Sequence, residues 1–519
     1  MTDLTRNKTI SKNLGLAINL ISSLVAFGAN LIINFFLSPY IVKELGVEAN
    51  GFITLANNFV AYASLVSIAL NSMAGRFITI KIHQGDLEGA NKYYSSVTVA
   101  NIIFALVMFI PSVVVVFYLE HIISIPRHLL LDVKMLFFLL FINYLMSTAF
   151  STWGTATFVT NKLYLQSVRT MSSQLLRVII IVILFTLLQP SVYFVGIGTL
   201  TATFYITLYS LYYKKKLLPD LRVRKRYLDL SSLRELVASG IWNTITSAGN
   251  LLLSGLDLLI ANMFIGPKEM GMLALAKTLP NVMTQLGSTL RSVFAPSLTI
   301  NYAKGDLEGV KKDLKKSMKL IGVILTIPLS VLFVFGEEFY TLWVPSEDAL
   351  VLQVLSALTI FGLIFTSGVQ TLYNIFAVVN KLKMNSILML LSGGVSLLVV
   401  FILLKTTNLG IFAVAAVSSI INLARNLFFT VPFGAKYLKL KWHTFFPEVF
   451  YSVISIMLSL LIGFAVKQMF IIESWLMLAS CAVIVSILGF IVNVFIVLNK
   501  EERNHLLNIF KRKISMIRK

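Results

Sequence analysis

Lys277, Asn281, Thr284, Ser288 and Arg291 recur at spacings of 4, 3, 4 and 3. On an α-helix that spacing makes one continuous polar face. The residues between them are largely apolar, and a cation in hydrocarbon is costly unless it meets water or a partner. The chemistry offered is binding rather than bond-making. Lys and Arg hold phosphate or diphosphate through charge-assisted hydrogen bonds, and neutral Asn, Thr and Ser suit sugar hydroxyls. Pro280 lies in the same run and predicts a kink, because proline removes a backbone hydrogen bond.

Three further stripes accompany this one. Asn57, Ser64 and Asn71 fall on one helical face, with Arg76 just beyond. Asn243, Asn250 and Asp257 are each seven apart, and Asn19, Asn30 and Asn34 mark the first apolar run. Asp257 is expected to balance charge, to carry a coupling proton, or simply to pair with Lys277. Plainer roles compete throughout. Asn, Ser and Thr inside membranes often only bond neighbouring helices, for about 1 kcal/mol each. Arg76 and Arg291 sit near span ends, where snorkelling to the interface is an alternative. Arg425 is close to the inner face and suits snorkelling or contact with lipid phosphate.

The elements that carry these residues are duplicated. Residues 46–89 and 266–309 align without a gap at an offset of 220, with 13 of 44 positions identical. Both copies open on Gly-x4-Gly (Gly46 and Gly51; Gly266 and Gly271) and close on Gly-Asp-Leu-Glu-Gly. Asn30 is the repeat partner of Asn250. Paired halves of this kind are typical of membrane transporters. The pentapeptide reads as a turn and helix start, with Asp and Glu suited to a helix N-terminus, or as a gating lever.

Composition sets the class. Apolar residues make up 57% of the 519 and charged residues 13%. Runs of about 20 apolar residues, each long enough to cross a bilayer, recur along the chain. Backbone in hydrocarbon must satisfy itself, so the runs are expected to be helices. The expectation is an all-α polytopic membrane protein with about 14 transmembrane helices. Two pseudo-symmetric six-helix bundles occupy residues 1–220 and 221–440. Two extra spans and a basic tail occupy 441–519. The first run, 14–38, is expected to be a retained span rather than a secretory signal. Spans 7 and 8 are placed at 236–265 and 271–297, and 337–348 is placed in an outer loop.

Net charge is +21. With the N-terminus inside, 34 of the 44 Lys and Arg fall on inner segments and six on outer loops. This asymmetry sets both termini in the cytoplasm by the positive-inside rule. The basic segment Lys214–Arg226 then reads as an inner loop that could also bind anionic lipid, rather than as a nucleic-acid patch. No nucleotide-binding Walker pattern, HExxH or Cys/His cluster is present. No cofactor and no metal are expected, and the chain is expected not to be an enzyme. The single cysteine, Cys481, cannot form an intramolecular disulfide.

Two stretches carry a resemblance: LSPYIVKELGVEANGFITLANNFVAYASLVSIALNSMAGRFI and SGIWNTITSAGNLLLSGLDLLIANMFIGPKEMGMLALAKT. Each resembles the polysaccharide-flippase branch of the multidrug/oligosaccharidyl-lipid/polysaccharide exporter superfamily. The resemblance covers essentially the whole chain. It implies a V-shaped pair of bundles around a cavity lined by spans 1, 2, 7 and 8. It also implies transfer of undecaprenyl-diphosphate-linked oligosaccharide from the inner to the outer leaflet of a bacterial plasma membrane, by alternating access. The family's cationic cavity is matched by Lys277 and Arg291, with Arg76. Partners expected on this reading are the lipid-linked oligosaccharide, membrane lipids and polysaccharide assembly proteins, with no nucleic acid, and the chain acts as a monomer. The rival expectations are an ion-coupled multidrug exporter of the same superfamily, a membrane-bound polymerase or glycosyltransferase, and a scaffold in an assembly complex.

Overall fold

A computed structural model describes residues 22, 25–26, 28–379, 381–499 and 503. Among these every regular element is helical. The chain divides into two compact units. One comprises residues up to Ala248 with Leu258–Gly271, and the other Gly249–Asp257 with residues from Met272 onward.

The first unit begins with α1 (residues 28–45), which ends at Gly46. Gly46 has φ of 87°, a backbone conformation suited to glycine, and the chain turns there into α2 (Val47–His83). At 37 residues α2 is about 55 Å long, so it extends past the hydrocarbon core. Then follow α3 (Leu87–Phe117), α4 (Leu130–Ala149), α5 (Leu163–Leu187) and α6 (Tyr193–Leu217).

The pentapeptide between α2 and α3 works as a helix start. Gly85 takes φ of 77°, and the Asp86 side chain accepts the Gly89 N–H at 2.8 Å. The second copy repeats this at Gly305, φ 75°, with Asp306 and Gly309 again at 2.8 Å. One local solution, the capped turn, thus accounts for the repeated motif.

After α6 the basic segment is pinned along α3. Asn91 accepts from the Arg222 N–H at 2.7 Å and donates to the Asp220 carbonyl at 3.3 Å. Ser95 donates to the Arg222 carbonyl, and Ser96 accepts the Asp229 N–H. Positions 91 and 95 lie one turn apart, with 96 beside them, so one face of α3 supplies partners that irregular backbone lacks. Buried Leu221 and Leu236 anchor the segment among Ile78, Tyr94 and Val97.

Next come α7 (Leu230–Asn250), a π-helical turn at Leu251–Gly255, and α8 (Asp257–Phe264). α9 (Pro267–Ala276) and α10 (Thr278–Ala303) follow, separated at Lys277.

The second unit continues with α11 (Leu307–Trp343), α12 (Ala349–Thr366), the short α13 (Tyr373–Val378) and α14 (Leu382–Thr406). α15 (Ile411–Arg425) passes through a second π-helical turn, Asn426–Thr430, into α16 (Val431–Tyr437). α17 (Phe446–Met469) and α18 (Trp475–Val497) pack on α11, with Cys481, Val485 and Val466 around Val334 and Phe335. Lys467 donates to Glu338 at 2.6 Å and to the Val334 carbonyl at 3.0 Å, which fixes this docking.

Eleven helices among the described residues are long and apolar enough to cross a membrane. Counting the bent pair Leu230–Gly255 and Asp257–Phe264 as one span gives twelve. Among the described residues the expected fourteen is therefore not confirmed. The first run falls partly on residues outside those described. α10 is a 26-residue helix, but its polar stripe keeps it out of the apolar set. The expected outer loop 337–348 is also corrected: α11 stays helical to Trp343, because Tyr340 and Trp343 are buried.

Candidate functional site

The predicted kink lies at Lys277, three residues before Pro280. Pro280 has no N–H to give the Ala276 carbonyl one turn earlier. That carbonyl accepts instead from the Ser356 hydroxyl at 2.6 Å and the Tyr340 hydroxyl at 3.3 Å. A freed backbone group is thus satisfied by neighbouring helices, as hydrocarbon requires.

Lys277, at the break, donates to Asp257 Oδ2 at 2.6 Å and to the Ser254 carbonyl at 3.0 Å. The π-helical turn presents that carbonyl and sets Asp257 in the first turn of α8, where the helix dipole favours a carboxylate. The Asp257 side chain is buried, at 7% exposure, and that of Lys277 is nearly so, at 12%. The same turn corrects the seven-residue register of Asn243, Asn250 and Asp257. A π turn shifts helical phase, so Asn250 is exposed while Asp257 is buried. Close packing surrounds the turn: a Cβ on Gly393 would lie 2.6 Å from Leu252 Cβ and 2.7 Å from the Gly249 carbonyl.

Along α10, Asn281 and Thr284 are exposed and Ser288 is half-buried. The hydroxyls of Thr284 and Ser288 donate to the Pro280 and Gln285 carbonyls, which leaves their oxygens able to accept. The stripe ends on a cluster. The Arg291 guanidinium lies 5.4 Å from the Tyr373 ring centroid, and the Arg425 guanidinium lies 5.6 Å from the same centroid. Arg425 donates to Tyr373 Oη at 3.3 Å and to Asn422 Oδ1 at 2.9 Å, and Tyr373 Oη donates to Asn426 Oδ1 at 2.7 Å. Asn374 donates to the Arg291 carbonyl at 3.1 Å. Among the described residues neither arginine has a carboxylate partner. Arg425 Nε and Asn426 Nδ2 are buried without a hydrogen bond.

In the first unit the predicted residues are dispersed. Asn34 donates to both the carbonyl and the Oδ1 of Asn30, each at 3.0 Å. Asn57 is exposed and donates to the Ile53 carbonyl, and Ser64 donates to the Ala61 carbonyl. Asn71 exchanges hydrogen bonds with Asn101 and accepts from Ser151, a network that joins α2, α3 and the turn after α4. Arg76 is exposed, with no ion pair among the described residues. Asn19 lies outside the described residues.

Tyr373, Asn422 and Asn426 go unmarked in the sequence, and Arg425 stands there only as a residue near the inner face. A signal existed: three polar residues within five positions of an apolar run. Spacing within one helix does not show what another helix brings beside it, so the group resembles an interfacial end.

The sequence matches a protein family described as polysaccharide biosynthesis protein over residues 16–299. A curated relative, the uncharacterized membrane protein EpsK of Bacillus subtilis (strain 168), is 28% identical over 495 residues, 95% of this chain and 98% of that one. The fold is similar to an inward-facing multidrug resistance MATE family transporter of the MOP superfamily. That match has TM-score 0.67 and 14% identity, over 81% of this chain and 98% of that one. It is also similar to the lipid II flippase MurJ in an inward closed conformation, with TM-score 0.65 and 15% identity, over 91% of this chain and 97% of that one.

Proposed function

The chain belongs to the polysaccharide biosynthesis protein family, and on that premise we propose that it is a flippase for lipid-diphosphate-linked oligosaccharide. The cargo is an undecaprenyl-diphosphate-linked repeat unit of a surface polysaccharide. It moves from the cytoplasmic to the outer leaflet of a bacterial plasma membrane, with both termini of the chain in the cytoplasm. Transfer proceeds by alternating access, the site opening to one side of the membrane and then to the other.

The observation that carries this reading is the pair of arginines, Arg291 and Arg425, around Tyr373 without a carboxylate. Guanidinium groups held in a membrane protein without an acid favour an anionic ligand, and their planar forks suit phosphate oxygens. Lys277 enters the site as half of a pair with Asp257, which balances its charge. Asn281, Thr284 and Ser288 then offer amide and hydroxyl contacts to sugar. Arg76, Asn30, Asn57, Ser64, Asn71 and Asn250 are assigned to the glycan path on the same reading. A cation exporter would need a free acid, and Asp257, Glu338 and Glu448 are all paired with lysines.

The test is binding in phosphatidylcholine nanodiscs, read by native mass spectrometry. Polyprenyl-diphosphate oligosaccharide should bind the wild type and lose about tenfold in affinity in Arg291→Ala, equivalent to about 1.4 kcal/mol. Equal affinity for the dephosphorylated glycolipid would overturn the diphosphate site.

A further inference from the structure

A second cationic site lies in the first unit, away from the residues discussed above. A cavity of about 530 Å³ is lined by Leu87, Glu88, Asn91, Asp220 and three arginines, Arg222, Arg224 and Arg226, with Tyr227. Its volume is that of a small-molecule site. The arginines converge because the segment is held in one shape. Asn91 and Ser95 tie down the backbone of Arg222, Arg224 is extended at φ −139° and ψ 144°, and residues 225–227 close in a 3-10 turn. Residues two apart on extended backbone point to the same side.

The acids nearby are mostly engaged. Glu88 pairs with Lys92 at 3.0 Å, Glu235 accepts from the Tyr93 hydroxyl, and Asp229 accepts from Ser231 and Ser232. Glu88 and Asp220 bring two carboxylates to the lining, Glu88 already paired with Lys92, against three guanidinium groups. None of the three arginines has an ion pair among the described residues. Arg226 stacks on Tyr227 at 4.6 Å and donates to its hydroxyl, and among the described residues no side-chain hydrogen bond holds the other two.

We propose that this cavity binds a phosphate-bearing anion. The chemistry is that of a phosphate or diphosphate group held by several guanidinium forks beside an aromatic ring. It is supplied either by an acidic phospholipid headgroup or by a soluble phosphate compound. Occupancy would neutralise the segment that joins α6 to α7 and hold it against α3.

The experiment is hydrogen–deuterium exchange on the full chain in nanodiscs, reading amides 220–229. Inorganic pyrophosphate is added to phosphatidylcholine discs in one arm, and phosphatidylglycerol replaces part of the lipid in the other. At least threefold slower exchange with pyrophosphate assigns a soluble ligand, and slowing with phosphatidylglycerol alone assigns a headgroup. In either case Arg222→Ala/Arg224→Ala/Arg226→Ala abolishes the slowing, and Arg224→Ala alone weakens it. The control Lys304→Ala/Lys312→Ala/Lys316→Ala removes equal charge elsewhere and retains it. No slowing in either arm, or equal loss in the control, overturns the site.

Discussion

Lys277 and Asp257 form a 2.6 Å ion pair, with both side chains largely removed from solvent. The pair joins the break before α10 to the first turn of α8, so its members are not equivalent to free charges. Removing one partner leaves the other buried alone, at a cost of about 3–5 kcal/mol, whereas replacing both with apolar residues of similar size is often close to neutral. Lys277→Met alone should therefore lower thermal stability strongly, and Lys277→Met/Asp257→Leu should restore most of it. Differential scanning fluorimetry on the four proteins of the cycle measures this. A double variant as unstable as the single one would contradict the pairing.

The ring of Tyr373 is the common platform of Arg291 and Arg425. Tyr373→Ala should weaken glycolipid-diphosphate binding by about tenfold, about 1.4 kcal/mol. Tyr373→Phe keeps the ring and loses only the hydroxyl bonds to Arg425 and Asn426, so its loss should be smaller. Titration of both variants in nanodiscs separates the two contributions.

Gly51 and Gly271, equivalent positions of the repeat, pack against each other in the first unit. A Cβ on Gly51 would lie 2.8 Å from Gly271 Cα, and one on Gly271 would lie 2.4 Å from the Val47 carbonyl oxygen. Backbone must move in the second case. Gly271→Ala is expected to destabilise by about 1–3 kcal/mol, the range for overpacking. The glycines are thus kept by close approach rather than by turn geometry, and only Gly46 of the four adopts positive φ. A thermal melt of Gly271→Ala checks the value.

Asp229 has a pKa lowered from 3.8 to about 2, first by the Ser232 hydroxyl and then by that of Ser231, with their backbone N–H groups adding to both. A folded-state pKa below the unfolded value contributes stability that is full above pH 3.8. That stability is lost as pH falls toward 2. Amides 229–232 should open as pH drops through this window, and Asp229→Asn should remove that dependence. Exchange measured between pH 2 and 5 reads the outcome.

Much of the fold was legible because membrane helices leave long apolar runs, and the polar face of α10 was legible because 3.6-residue periodicity holds along it. The register that failed, Asn250 to Asp257, crosses Leu251–Gly255, and a π turn leaves no periodic mark of its own. The kink near Pro280 was readable from proline chemistry. Its compensation by Ser356 and Tyr340 was not, since those residues lie 76 and 60 positions away. In the sequence Arg425 stands out only as an interfacial residue for the same reason: its partner, Tyr373, comes from another helix. Pairing across helices is a tertiary fact, and one helix's spacing carries no trace of it.

Transfer of a lipid diphosphate by way of Arg291 can be followed as leaflet transfer in proteoliposomes. Fluorescent undecaprenyl-diphosphate oligosaccharide is placed on one side under an imposed membrane potential, with wild type and Arg291→Ala at matched folding and orientation. The wild type should transfer the lipid, and the variant should do so at least tenfold more slowly, about 1.4 kcal/mol or more. Equal rates would remove Arg291 from the mechanism. No transfer by a correctly oriented wild type, together with transport of a cationic dye, would contradict the flippase assignment itself.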